Sequence, residues 1–146
     1  MSWLEEKLQS LDLFLGEAKP PLGNYIGCKT AGNFLYASGR VSNLKGKVGI
    51  DVSPEDAKMA AHDTVLLILS IIKDEIKDLG LLKGVVKMQG FVNSSNDFLD
   101  HPKIIDGASD LLIALFGEKG RHARTATGVA QLPFGATIQL DIIFEI

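Results

Sequence analysis

A chain of 146 residues with 46% hydrophobic and 23% charged side chains has the balance of a globular protein built around one core, long enough to fold without disulfides or metals. Its net charge of -3 speaks against a nucleic-acid partner, because such proteins carry a basic face that displaces counterions. The positive mean hydropathy leaves apolar surface that a subunit interface would help to hide.

Residues 1–146 are expected to form a single domain, with residues 1–22 as an N-terminal helix and an extended lead-in. Ser2 is a hydroxyl N-cap with Glu5 three positions later, and Leu4, Leu8 and Leu11 share one helical face. Glu5, Glu6 and Asp12 make this start unlike a secretory signal. Lys19-Pro20-Pro21-Leu22-Gly23 cannot continue a helix and reads as extended. Tyr25–Thr30 and Phe34–Ser38 are strand-like runs joined by Ala31-Gly32-Asn33, which predicts a β-hairpin. Cys28, the only cysteine, lies in the first run; it excludes an internal disulfide or thiolate cluster and points to the cytoplasm, as a packed small side chain rather than a reactive thiol.

Residues 43–51, with their glycines and lysines, predict a mobile loop; Gly46-Lys47 lacks the Ser/Thr and upstream glycine of a phosphate-binding loop. Ser53-Pro54-Glu55-Asp56 then starts a helix with a capping hydroxyl, proline at the first helical position and two carboxylates at the positive end of the dipole. Ala57, Ala61, Val65, Ile68, Ile72, Ile76 and Leu79 follow at helical spacing, with Gly80 as the expected stop. The greasy run Val65–Ile72 is too short to span a bilayer, so no membrane segment is expected. Val85–Val92 predicts a strand, residues 93–97 a loop, and Ile105–Phe116 a second helix after His101-Pro102 and before Gly117. Arg124–Ala130 predicts a strand leading through Leu132-Pro133-Phe134-Gly135 to a final strand from Ala136 to Ile146, whose apolar residues alternate. The order implies an α+β fold, a sheet with both helices on one face.

Catalytic patterns are sparse. His62, His101 and His122 have no ligand spacing and read as surface or turn histidines, no metal site is indicated, and Ser38 in Ala37-Ser38-Gly39-Arg40 lacks the first glycine of a nucleophile elbow. Arg124 stands out inside the apolar, small-residue stretch 125–130, where a guanidinium needs a partner. Its planar fork suits a ligand carboxylate; a salt bridge to Asp106, Asp110, Asp141 or Glu145 is the competing reading, and the residues alone leave both open.

Asn24-Tyr25, Ala37-Ser38-Gly39 and Arg124-x-Ala126-x-Gly128-Val129-x-x-Leu132-Pro133 together resemble the RidA (YjgF-like) family over nearly the whole chain. Asn96-Asp97-Phe98, His101-Pro102, Asp106–Leu111 and the lead-in Gly120–Arg124 bring it nearest to that family's longer subgroup. The resemblance implies a chorismate-mutase-like α+β fold with a mixed sheet, assembled as a homotrimeric barrel with ligand clefts between subunits. It also implies cofactor-free hydrolysis of enamine and imine intermediates to 2-oxo acids and ammonia. Arg124 would then grip a small carboxylate-bearing metabolite, and Tyr25, Ser38, Gly39, Asp106 and Ala126 would line the cleft. The sequence departs from the deaminase pattern where it matters for chemistry. Gln139 stands where the family has a glutamate proposed to hold the attacking water, Ala126 where it has a cysteine, and Asp106 where it has an asparagine. An amide cannot accept a proton as a carboxylate does, although it can orient water beside an already electrophilic iminium carbon. Two readings therefore stand: an imine hydrolase using Arg124 and Gln139, or a binding or regulatory protein that keeps the arginine cleft without turnover. An endoribonuclease role, attached to the family by name, has no support in the acidic balance.

Overall fold

The computed structural model describes residues 1–146. Helix α1 (Trp3–Ser10) is capped by the Ser2 hydroxyl, which accepts from the Glu5 N–H at 3.2 Å, and it buries Leu4 and Leu8. Leu11, expected on the same face, is 40% exposed because the helix has already ended. A hairpin of β1 (Cys28–Ala31) and β2 (Phe34–Val41) follows, turning at Gly32 with φ 59°. The first strand starts three residues later than its apolar run, since Tyr25 and Ile26 precede the pairing and are exposed.

Helix α2 (Pro54–Ile76) starts as its sequence dictates, with the Ser53 hydroxyl accepting from Asp56 N–H. It stops before Gly80. Lys77 takes the left-handed conformation at φ 68°, and Asp78 then receives the Gly80 N–H on its carboxylate, closing a separate short turn at Leu79–Leu81. Strand β3 (Gly84–Asn93) leads to α3 (His101–Phe116), which begins four residues earlier than Ile105 because Pro102 fits a helical first turn. Strands β4 (Ala123–Val129) and β5 (Ile138–Glu145) complete the sheet. The 43–51 segment is pinned instead of mobile: Val48 is fully buried, its N–H donates to Asn93, its carbonyl accepts from Ser95, and the Lys47 ammonium donates to Asn93 and to the Ala130 carbonyl.

The strand order is β1-β2-β5-β3-β4, antiparallel except for the parallel β3–β4 pair that α3 connects. β5 passes β4 by and inserts between β2 and β3, so the two C-terminal strands form no hairpin. Leu35, Met88, Ile138, Leu140, Ile142 and Phe144 face the two long helices and belong to one core of 30 buried residues. Gly107 lets those helices touch: a Cβ there would lie 2.1 Å from the Lys58 carbonyl oxygen. The other sheet face carries no helix. Tyr36, Lys87, Phe91, Gln139, Asp141 and Ile143 alternate out of it with the core residues. Burial pushes the Asp141 carboxyl up, against the opposing pull of Lys87. No helix is long and apolar enough to cross a membrane.

Candidate functional site

The residues singled out by the sequence fall into two groups. Arg124 lies on the edge strand β4, opposite Met88 in the parallel register, and therefore on the helix-covered side of the sheet. Of its four candidate partners the structure selects Asp106. The Arg124 Nη1 donates to the Asp106 carboxylate at 2.7 Å and to the Ser109 hydroxyl at 3.1 Å, both offered by consecutive turns of α3. Neither partner saturates it: five N–H donors are available, and Nε and Nη2 make no hydrogen bond to the protein. The Arg124 side chain keeps 23% of its surface exposed, and Asp106 keeps 44%. Ala126, two residues on, lies on the same side and packs against the core.

Ser109 belongs to a chain of polar groups that the sequence reading missed. The His122 Nδ1 is 2.6 Å from the Gly120 carbonyl and its Nε2 is 2.9 Å from the Ser109 hydroxyl. A neutral imidazole satisfies both if Nδ1 carries the proton: it donates to Gly120, the Ser109 O–H donates to Nε2, and the serine oxygen accepts from Arg124. His122 is thus a half-buried link beneath the guanidinium, not a plain turn histidine. His101 is held similarly by Ser94 at 3.0 Å and packs edge-on against Phe98. Gly128 makes room for this ring: a Cβ there would come within 2.2 Å of it and displace it. Spacings of 13 and 15 residues hid the Ser109–His122 and Ser109–Arg124 pairs, which only the α3–β4 crossover brings together.

Gln139 lies on β5, on the open side of the sheet, level with Val41 and Phe91. Its amide makes no hydrogen bond to the protein and sits where a Cβ on Gly39 would be 3.3 Å from the nitrogen. Tyr25, Gly39 and Gln139 line one cleft of about 290 Å³, together with Lys19, Arg40, Lys45 and Phe134. Gly39 lies in a β-bulge of β2, where the register against β5 shifts between Ala37 and Arg40. Ser38 is tied down beside it, its hydroxyl donating to the Ile26 carbonyl at 2.6 Å. The Cys28 thiol is raised to about 11 by burial and by the Glu75 charge, which keeps it protonated and unreactive at neutral pH. No group of three or more His, Cys, Asp or Glu side chains converges in a way that could hold a metal ion.

Within one copy the two groups stay apart. Three strand spacings, about 14 Å, separate β2 from β4. Arg124 and Gln139 also lie on opposite faces of the sheet.

Residues 5–145 match the family model described as "YjgF/chorismate_mutase-like, putative endoribonuclease". The chain belongs to this family, also called YjgF/RutC/RidA, and has its mixed five-stranded α+β fold. It is 38% identical over 146 residues to Protein TCP17 of Trypanosoma cruzi, a match covering 95% of this chain and 91% of the other. A solved structure of the protein Atu1372, of unknown function, from Agrobacterium tumefaciens superposes with a TM-score of 0.89 at 37% identity, covering 99% of this chain and 92% of that one. A RutC family protein of Pyrococcus horikoshii is 28% identical over 132 residues, with 90% of this chain and 94% of the other covered.

Proposed function

We propose that this protein binds a small metabolite carboxylate through Arg124, in a cleft completed by a neighbouring subunit of a homotrimer, and hydrolyses imine and enamine intermediates there. One observation carries the reading: Arg124 is oriented by Asp106 and Ser109 through a single nitrogen, while its Nε and Nη2 have no protein acceptor. That is the pair of donors with which a guanidinium clamps a carboxylate bidentately. Asp106 holds the clamp in position and compensates its charge while the site is empty. A subunit that brought its Tyr25, Gly39 and Gln139 to this edge would join the two groups that one copy separates. The uncovered sheet face, with Tyr36, Phe91 and Ile143, offers surface for such an assembly.

The chemistry suits an amide at position 139. Water, oriented by the Gln139 carbonyl, adds to the iminium carbon while the C=N electron pair moves to nitrogen, and one proton passes from the added oxygen to that nitrogen; the C–N bond then breaks as the remaining hydroxyl forms C=O, its proton going to the departing ammonia, which gives the 2-oxo acid and ammonium. Since the iminium is already electrophilic, orientation alone accelerates this step, although a carboxylate base would add about 10² to 10⁴ in rate. The missing carboxylate favours a second reading, a cleft that binds carboxylates without turnover.

A coupled assay separates the two. A dehydratase or amino-acid oxidase generates imines in situ, and 2-oxo acid release is followed with wild type, Arg124→Lys, Arg124→Ala and Gln139→Glu, each checked for oligomeric state. Wild-type acceleration lost in both arginine variants is the expected result, with Gln139→Glu faster still; the lysine variant keeps the charge beside Asp106 but loses the fork. A wild type silent on every imino acid tried, with activity appearing in Gln139→Glu, would leave the binding reading alone.

A further inference from the structure

The cleft beside Gln139 contains a cation that the Arg124 reading does not use. Arg40 is only 8% exposed, yet no carboxylate lies within salt-bridge distance of it. Its single hydrogen bond in the fold is a long one, from Nη2 to the Lys19 carbonyl at 3.5 Å. The β-bulge puts it there. Regular alternation from the buried Ala37 would send Arg40 to the open side, but the register shift pairs it with Leu140, in the row that faces the helices. Burying a guanidinium without an anion is costly, so a fold that turns one inward implies a partner for it.

The surroundings indicate what that partner is. Lys19 and Lys45 line the same cleft, neither in an ion pair, and no Asp or Glu lines it. In a chain whose net charge is -3, this is a local concentration of three cations, in a cleft lined also by the neutral polar groups of Tyr25, Asn43 and Gln139; the Lys19 ammonium donates to the Asn43 side-chain carbonyl at 3.1 Å. We infer that Arg40, with Lys19 and Lys45, forms an anion subsite in the Gln139 cleft, so that the metabolite taken here carries a second anionic group, phosphoryl or carboxylate, besides the carboxylate held by Arg124. The inference rests on the Arg124 reading for the first carboxylate, but the subsite itself stands on Arg40 alone.

Calorimetric titration at fixed ionic strength tests it with three probes: propanoate, succinate and inorganic phosphate. Succinate is expected to bind about tenfold more tightly than propanoate, as one added charge-assisted contact implies, and phosphate to bind measurably by itself. Arg40→Gln should abolish phosphate binding and the advantage of succinate while leaving propanoate affinity within about twofold. Because Arg40 is buried, Lys45→Gln on the exposed rim serves as a second variant that leaves the fold intact, with a smaller loss for the same two probes. A phosphate response without a succinate advantage, or the reverse, supports the subsite and identifies the group. Equal affinity for succinate and propanoate with no phosphate binding, or phosphate binding indifferent to both substitutions, would overturn it. Arg124→Lys keeps the two readings distinct: unchanged propanoate binding there would sink the carboxylate clamp while leaving the phosphate result to judge Arg40.

Discussion

Gly107 holds α2 and α3 at a separation that a methyl group would violate. Alanine ordinarily stabilises a helix interior by about 1 kcal/mol relative to glycine. Here the added Cβ would meet the Lys58 carbonyl at 2.1 Å, a backbone atom that cannot rotate away, so the helices must part. Gly107→Ala is expected to lower stability by about 1 to 3 kcal/mol in denaturant titration, whereas Gly16→Ala, with nothing within 4 Å, should stay within about 0.5 kcal/mol of wild type. An unchanged midpoint for Gly107→Ala would mean that the helix contact is softer than its geometry implies. At this scale the sequence revealed a cation in an apolar stretch at Arg124 but not the inward turn of Arg40, because the bulge that re-aims Arg40 has no signature in Ala37-Ser38-Gly39-Arg40. Ser109 and His122 were equally invisible, since each is an ordinary residue until the crossover places one above the other.

The N-terminal helix is attached to the body by the buried Leu4 and Leu8 and by a few directed contacts that can be read one at a time. Trp3 donates its indole N–H to the Gly80 carbonyl at 3.0 Å and meets Phe116 edge-on, while Glu5 accepts from the Lys73 ammonium at 2.9 Å. That hydrogen bond holds the Glu5 carboxyl below its ordinary 4.5, ahead of a smaller opposing effect of burial. A depressed folded value means that the contribution of Glu5 is complete above about pH 4.5 and disappears as the pH falls through the folded value. Trp3 is the only tryptophan, so its fluorescence reports directly on α1. Between pH 6 and 3 the emission of wild type should shift on the acid side, and Glu5→Gln should show a flatter profile; identical profiles would remove the tether from the account. Helical periodicity and capping made α1 and the start of α2 legible in the sequence. Ends were harder, because what terminates α2 is a lysine in the left-handed region, where glycine was the expected signal, and the following Asp78 starts a separate turn by accepting the Gly80 N–H. The 43–51 segment misled for a related reason: glycines at positive φ, Gly46 and Gly49, here serve a segment bonded to the end of β3.

Across the whole molecule the sheet has one face under helices and one without cover. The alternation of β5 made the first face legible; it left the second mixed, with half-buried Gln139, Asp141 and Ile143. Ile143 lies on the uncovered face, level with Tyr36 on β2 and Lys87 on β3. If that face joins the subunits, Ile143→Lys should convert the assembly to monomers in analytical ultracentrifugation without loss of helical circular dichroism, since the core on the other side is untouched. An unaltered sedimentation coefficient would place the interface elsewhere. The separation of Arg124 from Gln139 by strands and by sheet face has a further consequence. On the proposed reading, a site divided between two copies would exist only while the copies are together, so ligand and neighbour would be linked by mass action. Ligand would then favour the assembled form, and dilution would weaken apparent affinity even when no residue of the site has changed, which makes protein concentration a variable of binding and not merely of assembly.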